Sequence, residues 1–111
     1  MLLAEKSGVS GAKVREALLG GFAASKILEV HGNRMLSDDY KPGFKTTLHR
    51  KDMGIVLDNA RSLGLMLPAA ILATGHLDAV MAAGEGDQDS SAIFKALKRA
   101  QDKNPEKKKA V

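Results

Sequence analysis

A chain of 111 residues with 44% hydrophobic content is long enough to bury one core, and we do not expect two domains. It has no cysteine, which excludes disulfides and thiolate metal sites, and it lacks both an export signal and the roughly 20 apolar residues of a membrane span, so we expect a soluble, cytoplasmic protein. The net charge of +4 is weak evidence for a nucleic-acid partner, because much of it lies in the last nine residues, KNPEKKKAV.

The first part of the sequence predicts three helices. The opening MLLAEK consists of good helix formers and reads as the last turns of a helix that begins upstream of Met1. Ser10 is suited to cap a helix over 12–19, which a pair of glycines ends. A further helical pattern runs over 25–35 and stops in the polar stretch SDDYKPG.

The second part predicts three more helices. The strongest periodicity lies over 47–63, and Pro68 is placed to open the next helix at its first position. After the loop GEGDQD, Asp89 or Ser90 is expected to cap a last helix. That helix is expected to bury Ile93, Phe94, Leu97 and Ala100. No window alternates with period two for long enough to indicate a strand, so we expect an all-α bundle of about five to six helices.

Two features that suggest ion binding have simpler interpretations. The histidines His31, His49 and His76 fall on three different predicted helices without an i, i+4 partner, so we expect no metal site. The acidic segment GEGDQDSS lacks the alternating ligands and closing Glu of a calcium loop, and we interpret it as a connector and helix cap. The basic tail, 103–111, is read as a frayed, solvated terminus rather than a phosphate-binding arm.

Four strings in order, AEKSGV, KVREALLGG, PGFKTTLHRKDMGIVLD and DSSAIFKAL, resemble the C-terminal domain of the β-hydroxyacid dehydrogenases. Within that family, GGFAASKIL and PGFKTTLHRKD resemble most the tartronate semialdehyde (2-hydroxy-3-oxopropionate) reductases, whereas KD-x-G-x-x-L-D is shared with 3-hydroxyisobutyrate dehydrogenases. The string D-x-S-A is matched at Asp89, Ser91 and Ala92, but Ser90 replaces the usual histidine or aromatic residue. The resemblance implies a helical domain over 1–102 like the C-terminal domain of 6-phosphogluconate dehydrogenase.

The resemblance also implies an activity and a missing part. Such enzymes are NAD- or NADP-dependent oxidoreductases, and this type interconverts a small 2-hydroxy-3-oxo acid and its hydroxyacid as a homo-oligomer. The family has a Rossmann segment with GxGxxG and a catalytic lysine in GxxGxGxxxKxxxN, and the sequence contains neither string. We therefore expect no catalytic residue in this chain, a catalytic lysine upstream of Met1, an inactive isolated chain and an apolar face left exposed. The choice between NAD and NADP stays open.

Three residues match the family's site. Lys51 matches the lysine that, the resemblance implies, reaches the nicotinamide side of the cofactor, Phe44 would wall the pocket, and Asp52 would orient Lys51 or the substrate. On residues alone, a Lys-Asp pair near a helix start is usually solvated, Asp52 favours the helix N-terminus, and Phe44 is a core residue at the Pro42-Gly43 turn.

Two rival functions remain. One is a basic helical nucleic-acid-binding protein, although neither a basic recognition helix nor a platform of stacking aromatic residues is visible. The other is a helical interaction domain without enzymatic activity.

Overall fold

The computed structural model describes residues 1–102, so the predicted tail, 103–111, lies outside the described residues. The regular helices are α1 (Leu2–Lys6), α2 (Gly11–Leu19), α3 (Lys26–Leu36), α4 (Thr46–Ser62), α5 (Pro68–Ala82) and α6 (Ile93–Asp102). A short 3₁₀ turn, Ser90–Ala92, runs directly into α6. Over the described residues the one β-type pairing is an isolated antiparallel bridge between Lys45 and Asp89. The all-α prediction is confirmed.

Capping side chains and a proline begin the helices close to the residues that the sequence predicted. The Ser10 hydroxyl accepts a hydrogen bond from the Lys13 amide at 3.4 Å, and the Ser25 hydroxyl accepts one from the Leu28 amide at 2.9 Å. Pro68 occupies the first position of α5, where a missing N–H costs nothing. Asp89 caps the 3₁₀ turn, with α6 following it, so the predicted cap is right and the first turn is tighter than expected.

The chain forms two compact units, and the first is Met1–Tyr40. Its helices approach closely at glycines. A Cβ on Gly11 would lie 2.6 Å from a methyl group of Leu36, and one on Gly32 would lie 3.2 Å from the Arg15 side chain. That arginine donates a hydrogen bond to the Glu29 carbonyl at 2.7 Å, which ties α2 to α3.

The second unit begins at Lys41 and contains α4, α5 and α6, with α5 packed against both neighbours. Its buried apolar residues come from all three helices and the 3₁₀ turn: Ala60, Leu77, Val80, Ala92, Phe94 and Ala96. The predicted burial in α6 is correct for Phe94, whereas Ile93 and Leu97 are only half-buried. The prediction is wrong for Ala100, which is exposed because it lines an open groove of about 320 Å³ between α5 and α6.

Helix α5 is apolar on every side but buried on only one. Its sequence, PAAILATGHLDAVMA, contains a single charged residue, Asp78. Leu77 and Val80 face the core, while Leu72 is 66% exposed on the opposite side. A helix that is apolar on every side is usually buried on every side. The exposed side of α5 is therefore the apolar surface that the sequence led us to expect. Within the described range, none of the helices has the length and apolar character needed to span a membrane.

Candidate functional site

The turn before α4 holds the backbone of Phe44 rigidly while its ring stays half-exposed. The amides of Gly43 and Phe44 donate to Oδ1 of Asp89 at 2.9 and 3.1 Å, and the amide of Ser90 donates to the Phe44 carbonyl at 3.0 Å. Its side chain is 42% exposed, and the ring lies 5.7 Å from the His49 ring at a tilt of 48°. Phe44 is therefore not the core residue that the simpler interpretation expected.

Asp89 is the buried anchor of this turn, with only 1% of its surface exposed. Its second oxygen, Oδ2, accepts from the Ser91 amide at 3.0 Å and from the Ser91 hydroxyl at 2.6 Å. Burial alone would raise the pKa of Asp89, but the hydrogen bonds from Ser91, Phe44 and Gly43 stabilise the carboxylate and lower the pKa to about 2. The group is thus ionised throughout the neutral range.

Helix α4 is capped by another part of the chain. Its own N-cap residue, Lys45, offers no side-chain acceptor. Instead, the amides of Thr46 and Thr47 donate to the carbonyls of Gln88 and Gly86 at 2.9 and 3.0 Å, and both threonine hydroxyls donate to the same carbonyls. We call the two hydrogen-bonded segments, 43–47 and 86–91, the clasp. The clasp supplies the partners that the first turn of a helix otherwise lacks.

Lys51 and Asp52 lie on the solvent side of α4. Their side chains are 64% and 50% exposed, and Lys51 Nζ lies 3.5 Å from Asp52 Oδ1. Helical spacing places them on one face with Leu48 and Ile55, which are also exposed. Asp52 lies beyond the first turn of α4, so a favourable interaction of its carboxylate with the helix N-terminus does not explain an aspartate at this position. An exposed ion pair contributes little to stability, which leaves both groups available to a ligand.

Sequence reasoning missed most of the clasp. The sequence offered Asp89 or Ser90 as a cap but did not predict that Asp89 accepts from Gly43 and Phe44, because no local pattern signals a contact made 45 residues away. It also missed Glu85, which binds Lys95 and Arg99. Burial tends to raise the pKa of Glu85, but hydrogen bonds and charges from these two residues lower it overall.

The three histidines are dispersed over three helices. His31, His49 and His76 lie on α3, α4 and α5, and the described residues contain no cluster of three side chains able to hold a metal ion. Nδ1 of His49 is buried beside the clasp without a hydrogen-bond partner among the described groups.

Comparison with known proteins gives consistent matches. A family model described as the NAD-binding region of NADP-dependent 3-hydroxyisobutyrate dehydrogenase matches residues 1–97. The chain is 43% identical over 97 residues to the 2-hydroxy-3-oxopropionate reductase of Escherichia coli, covering 87% of this chain and 33% of that enzyme.

Solved structures agree. A 3-hydroxyisobutyrate dehydrogenase from Salmonella typhimurium superposes with a TM-score of 0.79 at 28% identity, over 84% of this chain and 33% of that one. The 3-hydroxyisobutyrate dehydrogenase of Mycobacterium tuberculosis superposes with a TM-score of 0.72 at 30% identity, over 86% of this chain and 35% of that one. The chain spans about a third of the length of the relatives it matches.

Proposed function

The chain belongs to the 3-hydroxyisobutyrate dehydrogenase family of β-hydroxyacid dehydrogenases, and we propose that residues 1–102 act as the helical C-terminal domain of an NAD(P)-dependent oxidoreductase. The family is described as NAD-binding and NADP-dependent, which confirms the expectation of NAD or NADP. The proposed fold type is that of the C-terminal domain of 6-phosphogluconate dehydrogenase. A Rossmann segment and a catalytic lysine would come from residues outside this sequence.

The observation that carries the proposal is the pairing of a rigid, exposed aromatic residue with an exposed ammonium group in the same stretch of chain. The backbone of Phe44 is held by Asp89 and Ser90, and Lys51 lies about one and a half turns into α4. A nicotinamide supplies the hydride chemistry when it is bound. Phe44 would exclude water from one side of that ring, and Lys51 Nζ would donate a hydrogen bond to the cofactor.

Phe44 and Lys51 would contribute only part of the contacts that bind a dinucleotide. The glycine-rich turn at a helix N-terminus that grips the pyrophosphate is missing from the sequence. Asp52 lies close enough to Lys51 to limit where the ammonium points. We therefore propose that Lys51 contacts the cofactor, that Phe44 walls the pocket, that Asp52 assists, and that this chain alone does not turn over substrate.

For the substrate, we propose tartronate semialdehyde and its reduced product, glycerate. The support is the 43% identity to an enzyme named 2-hydroxy-3-oxopropionate reductase, together with the strings GGFAASKIL and PGFKTTLHRKD. We also propose a homo-oligomer, supported by the uncovered apolar face of α5.

A chimera tests the function. In the Escherichia coli reductase, the segment that aligns with this chain is replaced by residues 1–97, and reduction of tartronate semialdehyde is measured with NADH and NADPH. We expect turnover, with a higher kcat/KM than for the semialdehyde of 3-hydroxyisobutyrate. Phe44→Ala should lower kcat/KM tenfold or more, while Phe22→Ala, at a fully exposed position in the other unit, should not. A folded chimera without turnover would contradict the proposal.

A further inference from the structure

We propose that Asp89 is a positioning residue that holds Phe44, and the first turn of α4, in the orientation used by the cofactor face. The inference rests on the proposed function, because it assigns Asp89 a task in the same site. Asp89 itself touches neither cofactor nor substrate in this proposal; it acts through the clasp.

The two oxygens of Asp89 carry separate tasks. Oδ2 accepts from the amide and hydroxyl of Ser91, which is the ordinary work of a residue that caps a helix. Oδ1 accepts from the amides of Gly43 and Phe44, and capping α6 requires neither bond. A residue needed only as a cap would use one oxygen. Oδ1 therefore serves the turn that carries Phe44.

Side-chain packing alone does not fix Phe44. The residue is 42% exposed, so apolar contacts cover only part of its side chain. Its backbone, by contrast, is held on both sides, by Asp89 at the amide and by the Ser90 amide at the carbonyl. Because the backbone of Phe44 is already fixed, a ligand that contacts the ring does not have to order it. Such preorganisation strengthens binding.

The clasp also fixes the first turn of α4. The carbonyls of Gly86 and Gln88 cap the amides of Thr47 and Thr46, and Thr46 is fully buried. Lys51 lies one turn and a half beyond these residues on the same helix. Loss of the Asp89 contacts is therefore expected to loosen the turn at Phe44 first and the helix that carries Lys51 second.

The two tasks can be separated by substitution. Asp89→Ser keeps one short oxygen to cap the 3₁₀ turn but cannot reach Gly43 and Phe44. In the full chain, hydrogen exchange of the Gly43 and Phe44 amides should speed up tenfold or more relative to wild type, whereas the Ser91 amide should change little. Asp87→Asn alters an exposed carboxylate of the same loop, which pairs with Lys45 at 3.2 Å, and should leave all three amides unchanged.

Kinetics of the chimera give the second readout, through a double-mutant cycle. In the chimera without other substitutions, Asp89→Ser should raise KM for the cofactor and lower kcat/KM about tenfold. In the chimera that already carries Phe44→Ala, Asp89→Ser should lower kcat/KM little further. Additive losses would show that Asp89 acts independently of Phe44 and would overturn the inference. If Asp89→Ser does not fold, Asp89→Thr, which also keeps one short capping oxygen, replaces it in both measurements.

Different kinetic results would contradict the positioning role of Asp89 and the proposed function. Wild-type kinetics in the Phe44→Ala chimera contradict the function, whatever Asp89 does. A large effect of Phe44→Ala combined with wild-type kinetics and wild-type amide exchange in Asp89→Ser leaves the function standing and overturns the positioning role.

Discussion

Asp89 has almost no exposed surface, yet it stays ionised because four hydrogen bonds converge on its two oxygens. The sequence predicted Asp89 or Ser90 as the cap, since Asp and Ser before a helix are a local pattern, and the structure selects Asp89. Its contacts with Gly43 and Phe44 join segments 45 residues apart, and no local pattern encodes such a pairing. Lys51, Asp52 and Phe44 were found only through resemblance, and their roles remain predictions.

The lowered pKa of Asp89 predicts how stability depends on pH. Because the folded-state pKa lies below the ordinary 3.8, at about 2, the carboxylate stabilises the fold above pH 4, and this contribution is lost as the pH falls toward 2. Asp89→Asn should lower the free energy of unfolding by about 2 kcal/mol at pH 7, and the difference should shrink below pH 4.

Urea denaturation at several pH values measures this difference. Asp87→Asn serves as the control, because Asp87 is exposed and should change stability by less than about 0.5 kcal/mol. A constant gap between wild type and Asp89→Asn from pH 7 to pH 2 would contradict the account.

At the scale of elements, the helices were predictable because their signals are local. The periodicity over 47–63 placed α4 within one residue of its bounds, and Ser10, Ser25 and Pro68 marked three helix starts. What caps α4 was not predictable, because its partners are carbonyls of Gly86 and Gln88. Backbone carbonyls carry no sequence signature.

The clasp makes Gly86 sensitive to any side chain. A Cβ there would lie 2.7 Å from the Thr47 hydroxyl oxygen and 2.8 Å from the Met81 sulfur. The threonine cannot easily yield, because it is β-branched and bonded to the Gly86 carbonyl. Gly86→Ala should therefore destabilise the chain by about 1 to 3 kcal/mol in thermal or urea unfolding.

Gly75 provides the matched control for that substitution. It lies within α5, and a Cβ there would meet nothing within 4 Å. Gly75→Ala should stabilise the chain by roughly 0.5 to 1 kcal/mol, because alanine loses less backbone entropy in a helix. Equal effects of the two substitutions would show that the clasp does not constrain Gly86.

At the scale of the whole molecule, the uncovered apolar surface predicts self-association. Leu72 on α5 and the loop residues Leu63 and Met66 are all largely exposed. Sedimentation velocity at micromolar concentration should show dimers or larger species. Leu72→Glu should shift them toward monomer, and Phe22→Glu, which changes a fully exposed residue of the first unit, should not. A monodisperse wild-type monomer would contradict this prediction.

Cofactor affinity is the second property of the whole chain that can be predicted. Lys51 and Phe44 together supply one screened charge and one apolar contact, worth about 1 to 2 kcal/mol. Millimolar binding requires roughly 4 kcal/mol. Calorimetry should therefore detect no saturable binding of NADH or NADPH to the 111-residue chain below millimolar concentration. Micromolar binding would contradict this prediction, because it would require a phosphate-binding site within the chain.

The central claim, that the exposed face of α4 contacts the cofactor of a dehydrogenase, is tested most directly by Lys51→Ala in the chimera. The matched control is Lys26→Ala, since Lys26 is also an exposed helical lysine in a weak ion pair, with Glu29. A contact in a closed, water-poor site is worth about 1.4 kcal/mol or more. We predict that kcat/KM falls at least tenfold in Lys51→Ala and stays within twofold in Lys26→Ala. Wild-type kinetics in Lys51→Ala would contradict the claim.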